Sequence, residues 1–167
     1  MNYKVKGDYK MSYKIEKSTI DSALYSFLKS TYLFQKRELA LFGINWDEVY
    51  LLQLLLLHPG IQVTKLSEKM ENKKFVTSRM ISRLEDDGLV IKNSHQSDKR
   101  IVNVYITDKG RETIANIEAY NYKIISSQFD KIPETTMRLI LDSISNLDEF
   151  LGLDNPLTRK EEHDESK

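Results

Sequence analysis

The chain has 167 residues, 40% apolar and 30% charged, with 25 basic and 25 acidic side chains and no cysteine. That is apolar material for one folding unit, or for one with an oligomerisation extension, and it excludes disulfides and a thiol redox switch. The longest apolar run, residues 49–57, is broken by Gln53 and is about half of the roughly 20 residues that a bilayer span requires. The N-terminus lacks an apolar signal-peptide core, so a cytoplasmic protein without membrane attachment is expected.

A net charge of zero speaks against a uniformly basic chain, but the charge is unevenly spread. Residues 1–37 carry eight basic and three acidic groups, residues 38–60 carry three acids and no base, and residues 61–110 carry ten bases and seven acids. Within the last block, residues 73–84 hold four positive charges and no negative one. Local potential, not the total, steers a charged partner.

In chain order, residues 1–17 are rich in Lys and Tyr with little helical period and are expected to form a flexible arm. A long helix is predicted over residues 18–41, with Ser18 as N-cap and Gly43 as its stop. Asn45 followed by Glu48 is a capping-box spacing. The helix it opens, residues 46–58, is apolar on nearly every side and is therefore expected inside the core; Pro59 and Gly60 end it. Residues 61–63 suit a short strand. Thr64 is the expected cap of a helix over residues 65–70 with Leu66 and Met70 inward. After a turn at Glu71 and Asn72, with Asn72 as cap, a basic helix follows. Its inner face carries Thr77, Met80, Ile81 and Leu84, and Gly88 stops it.

Residues 89–92 and 100–106 read as two strands around a polar tip, residues 93–99. Thr107 opens a helix to about Phe129, with Ile114, Ile117, Tyr120, Ile124 and Ile125 among its apolar positions. Pro133 fits the first position of a last helix, whose stripe is Met137, Ile140, Leu141, Ile144, Leu147 and Leu151. Residues 154–167 are polar and are expected to be disordered. Two short helices, the second basic, followed by a hairpin make a winged helix-turn-helix. The fold class is mainly α with a small β-hairpin wing and a helical dimerisation region. The first helix and the last two carry more apolar surface than one small lobe can cover, which predicts a symmetric homodimer. The expected segments are a flexible arm (1–17), an N-terminal dimerisation helix (18–44), a winged helix-turn-helix lobe (45–106), C-terminal dimerisation helices (107–153) and a disordered tail (154–167).

From Arg79 to Gly110 the chain resembles the MarR family of bacterial transcription regulators, and the resemblance extends over residues 18–152. Leu84, Glu85, Gly88, Leu89 and Val90 fit the end of its arginine-bearing recognition helix. Asp98 and Arg100 fit its Asp-x-Arg wing. Thr107 and Gly110, preceded by Ile106, fit its Leu-Thr-x-x-Gly opening to the next helix. The chain departs from the family's pattern at Glu71 and Asn72, where the turn usually holds a small residue, often Gly. It departs also at Lys73, where a capping Ser or Asp is common, and at Thr77, where an apolar residue faces the core.

The resemblance implies a DNA-binding regulator of transcription, with repression the expected direction, acting as a homodimer on pseudo-palindromic duplex DNA. The major groove admits one α-helix, and the residues off the inner face are the candidates to read it: Lys74, Ser78, Arg79 and Ser82. Lys73 and Arg83, nearer the rims, are expected to hold phosphate. At the wing, Asp98 and Arg100 are two apart on a hairpin and so share a face; Asp98 can hold the Arg100 side chain. Family resemblance sends Arg100, beside Lys99, into the minor groove. The family often binds a small anionic or aromatic effector, but Tyr25, Phe27, Tyr32, Phe34 and Trp46 are assigned to no such site, because aromatic residues at helical spacing are more often core than pocket. Effector-free regulation is the alternative. His58, His95 and His163 lack ligand spacing, so no metal site and no cofactor are expected. No nucleophile–base or phosphate-loop pattern points to an enzyme. The rival reading is a winged-helix protein-interaction module that does not bind specific DNA.

Overall fold

The computed structural model describes residues 14–94 and 101–153. The expectations for the first part of the arm and for residues 154–167 lie outside them. The chain divides into two compact units, one up to Ile117 and one from Glu118 onward.

The first unit opens with α1 (Lys17–Phe42), α2 (Trp46–Leu57), the short β1 (Ile61–Gln62), α3 (Val63–Lys69) and α4 (Lys74–Asp86). It continues with β2 (Val90–Ser94), β3 (Val102–Ile106) and the first turns of α5 (Asp108–Ser126). The described strands form one antiparallel sheet in the order β1-β3-β2. Val90 pairs with Ile106 and Ser94 with Val102, while Ile61 pairs with Val104. Asn93 and Ser94, expected in the polar tip, therefore belong to the strand ladder. The core is built from Leu51, Leu52 and Leu55 of α2, Leu66 of α3, Ile81 and Leu84 of α4, Val90 and Val104 of the sheet, and Ile114 and Ile117 of α5. Each fully buried aliphatic side chain contributes about 1.5–3 kcal/mol relative to exposure.

Local chemistry explains the boundaries of α2. Asn45 Oδ1 accepts from the Glu48 amide and Glu48 Oε2 accepts from the Asn45 amide, both at 3.0 Å, which completes the predicted box. Three other expected caps are displaced. α1 is capped at Glu16 rather than Ser18, α3 at Gln62 rather than Thr64, and α4 at Lys73 rather than Asn72. None of these three caps makes a side-chain cap bond. At α3 the first residue, Val63, is buried, so packing takes part in setting that start.

The turn between α3 and α4 closes with the Asn72 amide on the Ser67 carbonyl and the Glu71 amide on the Glu68 carbonyl. This is a Schellman motif, with Glu71 at φ 51° in the left-handed region. The same pair of bonds ends α4, from Leu89 to Leu84 and from Gly88 to Glu85, with Gly88 at φ 72°. A glycine occupies the strained position in the second turn and a glutamate in the first.

α5 starts at a junction with the end of α4. Thr107 Oγ1 donates to the Gly88 carbonyl at 2.8 Å and accepts from the Gly110 amide at 3.1 Å. The Thr107 amide donates to the Leu89 carbonyl at 3.0 Å. A Cβ on Gly110 would lie 2.3 Å from that same carbonyl oxygen and 2.7 Å from Ile106 Cγ1. The threonine and glycine three apart thus cap a helix and admit a backbone.

In the second unit, α5 ends at Ser126, a 3-10 turn spans Phe129–Lys131, and α6 (Glu134–Ser145) and α7 (Leu147–Leu151) follow. Pro133 is the N-cap of α6 rather than its first residue. The single last helix expected to Leu151 is broken at Asn146, whose Nδ2 donates to the Asp142 carbonyl at 2.8 Å. No residue of α6 or α7 is buried, and in α1 the buried residue is Glu38. Of the stripe anticipated on the last helix, Ile140, Leu141, Ile144 and Leu151 are exposed and Met137 and Leu147 half-buried, and Leu28, Tyr32 and Leu41 of α1 are exposed as well.

Two substitutions test the turn chemistry by urea unfolding. Glu71→Gly relieves left-handed strain and is expected to raise stability by about 1 kcal/mol. Gly110→Ala forces a methyl into the Leu89 carbonyl and is expected to lower it by about 1–3 kcal/mol.

Candidate nucleic-acid interface

α4 has two opposed faces. Thr77, Ile81 and Leu84 are buried against the core, with Met80 packed half-buried beside them. The Thr77 hydroxyl has no hydrogen-bond partner there, as expected of a polar residue at an apolar position. On the other side Lys73, Lys74, Arg79 and Ser82 are exposed and Ser78 is half-buried. The helix therefore presents cations and hydroxyls outward along its whole length.

Arg83 is also exposed but is committed elsewhere. Its Nη1 lies 3.0 Å from Glu48 Oε1, and its Nη2 donates to the Gly43 carbonyl at 2.9 Å. The Glu48 side chain is 3% exposed and that of Arg83 52%. The geometry thus gives Arg83 a structural tie from α4 to the α1–α2 corner, in place of the free rim cation expected from sequence. The same corner is held by Trp46 Nε1, which donates to the buried Glu38 carboxylate, and by an edge-on contact of Trp46 with Phe34 at 6.4 Å.

Lys92, which has no place among the site residues expected from sequence, stands beside the outward face of α4. Lys92 of β2 pairs through Nζ with Glu85 Oε2 at 2.6 Å, and its amide donates to Glu85 Oε1 at 3.2 Å. Its ammonium also donates to Ser82 Oγ at 3.4 Å. These bonds lash the base of the hairpin to α4 and set a cation beside the outward face. An open cleft of about 420 Å³ lies here, with Lys74, Ser78, Ser82 and Lys92 on its walls and Gln62 and Thr64 at the start of α3. Lys92 had no local signal, because its partners come from a different element. Asp98, Lys99 and Arg100, and with them the expected Asp98–Arg100 pair, lie outside the described residues, as do His95 and His163.

Among the described residues no group of His, Asp and Glu is placed to hold a metal, and no single helix is long and apolar enough to cross a membrane. His58 caps the end of α2.

A three-helix core whose last helix is basic, a hairpin packed on its end and a short third strand make a winged helix-turn-helix. Residues 44–102 match the family model described as MarR family. It is 24% identical over 95 residues to the HTH-type transcriptional repressor MdtR of Bacillus subtilis, covering 57% of this chain and 61% of MdtR. It is 26% identical over 105 residues to YdgJ, an uncharacterised HTH-type transcriptional regulator of the same organism, covering 63% and 64%. The chain thus spans somewhat under two thirds of the length of these two relatives. Its fold is similar to that of FabT from Streptococcus pneumoniae, solved in complex with DNA, with a TM-score of 0.64 and 18% identity over 82% of this chain and 98% of FabT.

Arg83→Ala is expected to lower stability by about 1–3 kcal/mol, less than for a fully buried pair because the Arg83 side chain is half exposed. Arg79→Ala, on the outward face, is expected to change it by less than about 0.5 kcal/mol. Denaturant unfolding of both variants separates the structural arginine from the free one.

Proposed function

We propose that the chain regulates transcription by binding duplex DNA, with α4 in the major groove and the hairpin at the adjacent minor groove. The observation that carries this reading is the division of α4. Its inner face is consumed by the core, while Lys73, Lys74, Arg79 and Ser82 are exposed on the outer face, next to the cleft shared with Lys92. Arg79 is the candidate to bond guanine bidentately, and Lys73 and Lys74 are candidates for phosphate. Ser78 sits at the cleft wall with one hydroxyl to offer. Asp98, Lys99 and Arg100 remain the proposed wing contacts. Arg83 leaves the contact set, since its head already bonds Glu48 and Gly43.

The exposed apolar faces of α1, α6 and α7 support a homodimer, with residues 18–44 and 107–153 as the dimerisation helices around the 45–106 lobe. A dimer places two recognition helices on half-sites about one helical turn apart, and its operator is then pseudo-palindromic. The name of MdtR as a repressor favours repression, and the DNA complex of FabT favours DNA as the partner. A cytoplasmic setting and a role other than catalysis accord with this reading.

The test is selection of a duplex from a random pool, followed by anisotropy titration. Two chains should bind each selected duplex, with a log–log salt slope of about −0.9 per phosphate neutralised. Arg79→Ala should weaken binding by about tenfold to a hundredfold at unchanged stability. Equal weak binding to selected and scrambled duplexes would transfer the fold to the protein-interaction reading.

A further inference from the structure

α4 carries one large apolar side chain on its outward face. Phe75 is 62% exposed, while Thr77, two residues on, is fully buried. At about 100° per residue the two point roughly 160° apart. Phe75 lies four residues before Arg79, so both rise from one outward stripe. Ring contacts within the described residues do not involve it. Single exposed apolar residues are ordinary on a protein surface; the position of this one is not. It stands in the first turn of the helix whose N-terminal residues meet base edges, directly after the exposed Lys73 and Lys74.

The major groove displays one apolar group, the C5-methyl of thymine. Amide, hydroxyl and cationic side chains read the other groove atoms, and a phenyl ring can bond none of them. We propose that Phe75 is a specificity-determining residue that packs on the methyl of a thymine in each half-site. This rests on the DNA-binding reading above. Side chains four apart on a helix have Cβ atoms about 5–6 Å apart, and successive bases of a strand rise about 3.4 Å. The thymine read by Phe75 therefore lies within about two base-pair steps of the base read by Arg79.

The experiment uses the full chain and the duplex it selects. Each thymine is replaced in turn by deoxyuridine, which lacks the methyl, and wild type, Phe75→Ala and Phe75→Leu are titrated by anisotropy. One replacement per half-site should weaken wild type by about fourfold, the value of one buried methyl-sized group. Phe75→Ala should bind the parent duplex more weakly and be indifferent to that replacement, and Phe75→Leu should remain sensitive to it. Melting temperatures of both variants should match wild type, since the side chain is exposed. The inference is overturned if no thymine shows a methyl effect that Phe75→Ala abolishes, or if the selected site has no thymine near the Arg79-dependent base. It is overturned also if Phe75→Ala changes the oligomeric state without any methyl dependence, which would make Phe75 a contact between copies. Failure to enrich any duplex is a different result: it removes the DNA-binding reading itself and this inference with it.

Discussion

The backbone of Leu89 joins three elements. Its amide closes the end of α4 on Leu84, its carbonyl accepts the Thr107 amide, and that carbonyl lies against Gly110 where no side chain could fit. Thr107 adds a bond to Gly88, and Lys109 Nζ donates to the Asp87 carbonyl at 2.7 Å. The recognition helix, the hairpin and α5 are therefore fixed to one another at a single turn. Buried backbone groups need partners, and here each partner is supplied by a neighbouring element.

The outer face of α4 is then sorted by what its neighbours leave free. Two of the charged groups near the helix end are drawn into structure: Arg83 into the buried Glu48 and the Gly43 carbonyl, and Glu85 into Lys92 of the hairpin. The first tie holds α4 to the α1–α2 corner, and the second holds the wing base to α4. Lys73, Lys74, Phe75, Arg79 and Ser82 stay outward. On the proposed reading this face would offer cations for phosphate, a guanidinium for guanine and a ring for a methyl, the range of chemistry that groove edges present.

The long helices follow another rule. The lobe closes its own core with α2, α3, α4, the sheet and the start of α5. α1, α6 and α7 have almost nothing left to bury against within their own units, so Tyr25, Leu28, Leu139 and Phe150 face solvent. Water at that much apolar surface is unfavourable, and the proposed association of two copies would relieve it. Gly43 and Gly152, both left-handed helix ends with open space around them, serve the turns rather than the packing.

Much of the fold was readable from sequence because its signals are local. The Asn45–Glu48 box, the stops at Gly43 and Gly88, the cap at Thr107 and the inner face of α4 rest on spacings of one to four residues, and all appear in the structure. Local signals failed where a capping residue type stands one or two positions from the true helix start. Ser18, Thr64 and Asn72 were such cases, and the turn breaking the last helix at Asn146 had no signal strong enough to stand out. The outward residues of α4 were legible from its period. The commitment of Arg83, the presence of Lys92 and the exposure of Phe75 were not, because each depends on which neighbour a different element delivers. The sequence by itself determined the order of elements, the two faces of the basic helix and the family pattern, since these depend on residue type and period. Only the tertiary structure decided which charges are spent in ion pairs and which side chains remain free to meet a partner, because that choice is made by contacts between residues remote along the chain.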